Sequence, residues 1–149
     1  MAYLIGIDVG TSSTKAILIN DSGQVIKTVA PEYDFHTPKP LWAESNPLDW
    51  WTATIAAIKS LLDDIDASKI VGLGLTGQMH GLVCLDKDGE VLRPCIMWND
   101  QRTADQCREM TARIGDDDVI AITGNPILPG FTAPKLRWIE ENEPEVYSR

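Results

Sequence analysis

The segment that most limits the fold is the first, YLIGIDVGTSSTKAILINDSGQVIKTVAPEY, residues 3–33. It reads as three short apolar strands, YLIGID, TKAILIN and QVIKTVAPEY, with DSG at Asp21–Gly23 as the second turn. Strands joined this closely pair as an antiparallel meander, because a parallel pair needs a crossover of about a dozen residues or more. A chain that begins this way is separated from the strict strand–helix–strand order of a Rossmann domain.

The rest alternates. A proline-rich loop, HTPKPLWAESNP, leads to a helix with Asn46 as cap, Pro47 in its first position and Asp49 closing a capping box. Leu48, Trp51, Ile55, Ile58 and Leu62 fall at helical spacing and predict its buried face. Ile70–Thr76 and Leu82–Leu85 read as strands buried on both faces, and DKDG turns the chain into EVLRPCIMW. A second helix is expected over Thr103–Ile114, with Ala104, Cys107, Met110 and Ile114 inward. GNPILPG is a loop, and Thr132 is expected to cap a last helix that has Pro134 in its first turn and ends near Asn142. Trp42, Trp50 and Trp51 read as core and staple residues. The class is therefore α/β with a mixed sheet.

The balance of 13 basic against 22 acidic residues gives a formal charge of −9, which argues against nucleic acid or an anionic membrane as a partner. Any phosphate must then be held by backbone amides, a metal ion or a few local cations. Cys84, Cys95 and Cys107 have no metal-pair spacing and read as reduced thiols, as in a cytoplasmic protein. No apolar run reaches membrane-spanning length, and MAYLIGIDVG lacks the basic start of a signal peptide.

Three clusters carry chemistry. In GIDVGTSSTK, Asp8 ends a strand, and Gly10, Thr11, Ser12 and Ser13 turn toward Lys15. Successive amides in such a turn form an anion nest, and Asp8 suits a hydrated Mg²⁺ beside a phosphate. The alternative is a hairpin whose aspartate and hydroxyls satisfy the turn alone. In GLTGQMHGLVCLD, Gln78, Met79 and His80 interrupt an apolar run at a strand's carboxyl end, where open α/β sheets bind ligands. Gly77 and Gly81 are expected to give them freedom of direction. Gln78 and His80 suit hydroxyls and Met79 an apolar face; the alternative is a turn with a solvated histidine. In WNDQR, Trp98, Asn99, Asp100 and Arg102 supply the aromatic surface and bidentate groups that bind sugars, or else a helix cap at Asn99 or Asp100.

Together these segments resemble the FGGY carbohydrate kinases, most closely the xylulokinases among them. GIDVGTSSTKAIL resembles the family's phosphate hairpin, LWAESNPLDWW its tryptophan-rich approach to the first helix, and GFTAPKLRWIEEN, residues 130–142, its first signature. GLTGQMHGLVCLD and VLRPCIMWNDQRTADQC are the xylulokinase-like stretches. The resemblance implies an actin-like, ribonuclease H-like ATPase fold of two domains with ATP and Mg²⁺ in the cleft. The implied reaction carries the γ-phosphoryl group to the terminal hydroxyl of D-xylulose or a similar ketose, in an enzyme that can be a homodimer. Asp8 would orient metal and phosphates, Gly10, Thr11 and Ser12 would face the phosphates, and Met79 and His80 would touch the ketose. Asn99, Asp100 and Arg102 would line the pocket.

The family's general base and adenosine site lie in later segments, so residues 1–149 correspond to the front portion of the first domain. This stretch alone is expected to be inactive, and prone to associate through Leu136 and Ile139 on its last helix. Another FGGY kinase, or a non-catalytic sugar-binding module of the same fold, are the other readings.

Overall fold

The computed structural model describes residues 1–149. The strands are β1 (Tyr3–Val9), β2 (Thr14–Asn20), β3 (Val25–Val29), β4 (Glu44–Ser45), β5 (Ile70–Gly77) and β6 (Cys95–Ile96). The helices are α1 (Pro47–Leu61), α2 (Ala104–Ile114), α3 (Asp116–Thr123), α4 (Thr132–Asn142) and α5 (Pro144–Tyr147), with a 3-10 turn at Ala67–Lys69. They gather into two compact units: Met1–Phe35 with Pro47–Gln78, and His36–Asn46 with Met79–Arg149.

The first unit is a four-stranded sheet in the order β3-β2-β1-β5. The meander forms as its turns demand: β1–β2 and β2–β3 are antiparallel, and β5 returns beside β1 in parallel after α1. Asn20 fixes the second turn, its Oδ1 accepting from the backbone N–H groups of Ser22 and Gln24, and Gly23 takes a left-handed φ of 80°. Ile5 and Ile7 of β1 and Ala16 and Leu18 of β2 bury one sheet face against Ala57 and Leu61 of α1.

This corrects the expected helix face. Ala53, Ala57 and Leu61 form the buried stripe; Leu48 is exposed, and Trp51 is 65% exposed. Small residues let the helix axis approach the sheet, so the alanines take the contact and the larger side chains are displaced to its flank. Ile58 and Leu62 pack at the margin of the core. β5 also differs from the expectation of burial on both faces: Val71, Leu73 and Leu75 are exposed, Leu75 by 70%. It is an edge strand of this unit, and α1 packs chiefly over β2.

The second unit is built around the two-residue pair β4–β6, in which Glu44 faces Ile96 and Ser45 faces Cys95. Single bridges extend it on both sides, His36 to Glu44 and Leu82 to Ile96. The expected strands at 82–85 and 90–98 thus shrink to isolated bridges and to β6. Pro94 has no N–H to donate and stands just before β6. Leu82, Ile96, Trp138 and Ile139 form the core, with Trp42, Cys84 and Val146 around it.

Ile139 is therefore 1% exposed, against the expectation of an uncovered face, while Leu136 stands 47% open. In α2, Cys107 and Gln106 are inward and Ala104 and Ile114 face out, because Gln106 Nε2 reaches Glu141 Oε2 on α4 at 2.6 Å. α4, expected as the last helix, starts at Thr132 itself with Phe131 as its cap residue, and α5 follows it. All three cysteines are free thiols, as the sequence suggests.

Candidate functional site

The candidate residues fall into two sets, one in each unit. In the first unit, Asp8 is paired across the strands with Lys15 of β2 and Thr76 of β5, so a carboxylate, an ammonium and a hydroxyl lie in one row across the sheet. All three are exposed, on the face opposite α1. The adjoining turn is closed by the Gly10 N–H donating to Ser13 carbonyl at 2.9 Å. Tyr33 braces it from β3's continuation: its hydroxyl donates to the Gly10 carbonyl at 2.7 Å, and its N–H to the Ser12 carbonyl at 3.0 Å. Burial raises the Tyr33 pKa, the neighbouring Thr14 side chain opposes this, and the charge of Asp8 adds to the rise, so the phenol stays a donor.

Ser12 is exposed at the tip of this turn, with Thr11 and Ser13 half-buried beside it. Asp8 is the one carboxylate in its row across β2, β1 and β5, which suits a metal ion whose other ligands are water and phosphate oxygens. No group of three or more metal-ligating side chains is present.

Gln78 extends the pairing of β1 and β5, its N–H donating to the Val9 carbonyl at 2.8 Å. Both polar atoms of its side-chain amide are buried without a partner. The break in the apolar run that follows is turned differently from the expectation. Gly77 and Gly81 both keep ordinary backbone angles; His80 takes the left-handed one, with φ 64°. The glycines serve close approach: a Cβ on Gly77 would stand 2.8 Å from the Val9 carbonyl oxygen, and one on Gly81 2.9 Å from Cys95 Sγ.

In the second unit, His80 packs against Phe131 with ring centroids 4.8 Å apart. This pair forms one wall of a cavity of about 300 Å³ whose lining also includes Trp98, Gln101, Leu128, Pro129 and Gly130. That volume sits at the small end of ligand pockets. An apolar hollow of about 210 Å³ lies on the other side of the same pair, between Pro126, Ile127 and Pro134.

Of the sugar-binding candidates, His80 and Trp98 meet in this cavity. Met79 is 72% exposed and contributes to neither hollow. Asn99 is half-buried, with its Oδ1 buried and unpartnered. Asp100 and Arg102 do not line the cavity; they belong to a buried ion network. Asp100 Oδ2 accepts from the Ala43 N–H at 2.7 Å and from Arg102 Nη2 at 2.8 Å. Arg102 Nη1 also pairs with Glu44 at 2.8 Å, and Glu44 with Arg93 at 2.6 Å. Arg93 continues the chain of charges to Glu143 at 2.7 Å. The Arg102 guanidinium lies 3.7 Å over the Trp42 ring, which meets Trp138 edge-on at 5.4 Å.

Reading by residue type missed Gln101 and Phe131. Gln101 is the one member of WNDQR passed over, and its N–H is anchored to the Leu41 carbonyl at 2.9 Å. Lys135 was missed as well. It is fully buried, and burial is the main cause that lowers its pKa from 10.5 to about 8. Cys95, in the same interior, is pushed by burial up to about 11.

Comparison with known proteins places this arrangement. Xylulose kinase of Escherichia coli (strain K12) is 46% identical over 143 residues, which are 96% of this chain and 29% of that protein. Glycerol kinase of Ralstonia nicotianae is 36% identical over 142 residues, 93% of this chain and 28% of that protein. The crystal structure described as a xyloylose kinase from Brucella ovis superposes with a TM-score of 0.91 at 42% identity, covering 99% of this chain and 31% of that one. The chain thus spans about 30% of the length of the relatives it matches. Its fold is that of the amino-terminal third of such kinases, the actin-like ATPase fold. Residues 3–149 match the N-terminal domain of the FGGY family of carbohydrate kinases, and the chain belongs to that family.

Proposed function

We propose that residues 1–149 are the front portion of the amino-terminal domain of a complete kinase, one that transfers the γ-phosphoryl group of ATP to the terminal hydroxyl of D-xylulose. The observation that carries this reading is the cavity walled by His80, Phe131, Trp98 and Gln101, an aromatic and amide lining of a size for a small polyhydroxy compound. The 46% identity to a xylulose kinase supports the ketose over other substrates.

In this mechanism His80 and Gln101 hydrogen-bond sugar hydroxyls while the Trp98 and Phe131 rings pack on C–H faces. The exposed Asp8, beside the braced turn at Gly10–Ser13, holds the metal–phosphate end through water, and Lys15 and Thr76 offer a cation and a hydroxyl in its row. A bound Mg²⁺ would neutralise charge on the transferring phosphoryl group. The general base and the adenosine site are assigned to later segments of the complete kinase, which works in the cytoplasm.

A second reading, a kinase for a different polyol, is favoured by the 36% identity to a glycerol kinase. ADP release from the complete kinase, coupled to a dehydrogenase and measured on D-xylulose, D-ribulose, glycerol and gluconate, decides between them. Highest kcat/KM on D-xylulose is expected; a preference of tenfold or more, about 1.4 kcal/mol, for another compound refutes the ketose assignment.

A further inference from the structure

We propose that Lys135 is a positioning residue of the sugar site, its buried ammonium clamping the carbonyls of His80 and Gly130 and so setting the width of the cavity between His80, Phe131 and Trp98. This rests on the reading of that cavity as the sugar site.

Lys135 Nζ donates to the His80 carbonyl and to the Gly130 carbonyl, both at 2.7 Å. The two acceptors belong to the two segments that wall the cavity, one from each side of the His80–Phe131 contact. Neither segment is a strand or helix at this point, so no ladder of backbone bonds fixes their spacing.

His80 adopts a left-handed backbone conformation, which a residue with a side chain holds only where its surroundings enforce it. The clamp on its carbonyl supplies that enforcement, with Thr132 Oγ1 adding a longer contact to the same oxygen at 3.4 Å. Gly130 is fixed from its other side, since a Cβ there would stand 2.8 Å from the Trp98 carbonyl oxygen. Lys135 thereby spaces His80 against the Gly130–Trp98 contact.

A lysine is a costly choice for a scaffold at this place. It is fully buried, and it lies in the first turn of α4, where the helix dipole disfavours a cation. A neutral apolar side chain would fill the same volume without either penalty. What it would lose is a donor able to reach both carbonyls at once, and hydrogen bonds from an ammonium are the stronger kind.

The test uses the complete kinase with Lys135→Met, which keeps length and volume and removes the donors. The KM for the preferred sugar should rise between about 10- and 100-fold while the ATP KM stays within about twofold, since a displacement near 1 Å at a site costs up to that much. The preferred sugar is whichever compound the unaltered enzyme phosphorylates best, so failure of the D-xylulose assignment leaves this comparison intact. A second readout needs no activity. In the ¹³C-histidine-labelled complete kinase, the His80 imidazole resonances, assigned by their loss in His80→Ala, should shift or broaden while those of His36, assigned the same way, stay fixed.

A sugar KM within twofold of the parent, or equal losses for sugar and ATP, overturns the proposal, as does an unmoved His80 resonance. If Lys135→Met does not fold, Lys135→Arg decides by the same two readouts. Its longer, planar guanidinium keeps the charge and cannot place donors at both carbonyls with the same spacing.

Discussion

Replacing Asp100 by alanine separates a scaffold role from a ligand role for the WND segment. Asp100 is completely buried and holds three groups: the Ala43 N–H at 2.7 Å, the Arg102 N–H at 2.9 Å and the Arg102 guanidinium at 2.8–3.0 Å. Its removal leaves Arg102 with Glu44, a carboxylate already shared with Arg93. Breaking a buried ion pair by deleting one partner costs about 3–5 kcal/mol. The orphaned Ala43 N–H would add about 1–3 kcal/mol if the effects were independent. They share one side chain, so a combined loss of about 4 kcal/mol is expected, a large part of the ~5–15 kcal/mol typical of a domain. Urea unfolding followed by tryptophan fluorescence reads it directly, because the Arg102 guanidinium covers Trp42 and Trp138. A loss below about 1 kcal/mol, the size of an exposed pair, together with a selectively raised sugar KM would refute the reasoning and return Asp100 to the pocket.

The other expected outcomes concern the site in the complete kinase and the interior charge. Asp8→Asn should lower kcat by about 100-fold or more with little change in the sugar KM, as for loss of a charge that acts at the phosphoryl group; near-normal turnover in steady-state assays excludes that role. His80→Ala should raise the sugar KM far more than the ATP KM, and parallel changes in both would point to folding instead. The pH dependence of stability has a definite sign at Lys135. Its folded pKa, about 8, lies below its ordinary 10.5, so the cost of the buried cation is full below pH 8 and is relieved as pH rises to 10.5. The stability of the parent relative to Lys135→Met should therefore increase from pH 8 to 10 in urea titrations, with the Asp100 charge holding the pKa up and Arg102 pressing it down. A relative stability that falls over this range contradicts the assignment. Burial of the Cys95 thiol acts oppositely in both forms: its contribution is whole below pH 9 and lost as pH passes through 11.

The meander was legible because its turns are too short for any other pairing, and α4 because Pro134 and the apolar spacing agree. The small second unit was not. A two-residue pair such as β4–β6 spans a single alternation, so no repeating period-2 signal exists to read. The α1 stripe was misread for a different reason: periodicity weights large apolar residues, whereas the sheet contact selected alanines. Of the cavity lining, His80 and Trp98 are the residues that type and position single out. Asp100 and Arg102 were not separable from Gln101, since their partners Ala43 and Glu44 are more than fifty positions away along the chain. Three adjacent polar residues carry no mark of which have their side chains engaged by distant partners.

That distribution of charge bears on what the cavity can recognise. The chain carries a formal charge of −9, yet the cavity lining holds no carboxylate, and His80 is its one ionisable side chain. The acids of the surrounding interior, Glu44, Asp100 and Glu143, are each matched to Arg93 or Arg102. The remaining interior cation, Lys135, faces two backbone carbonyls and not the cavity's contents. An anionic sugar acid would find no free guanidinium or ammonium to replace its lost hydration, and desolvating a carboxylate without a partner is costly. A neutral ketose meets no such penalty: its hydroxyls need an imidazole and an amide, and its C–H faces need aromatic rings. The reading of this cavity as a site for an uncharged polyhydroxy compound therefore rests on which charges the fold has already paired. Under the proposed function, negative charge would belong to the phosphates, whose candidate site is the turn beside Asp8 and Lys15.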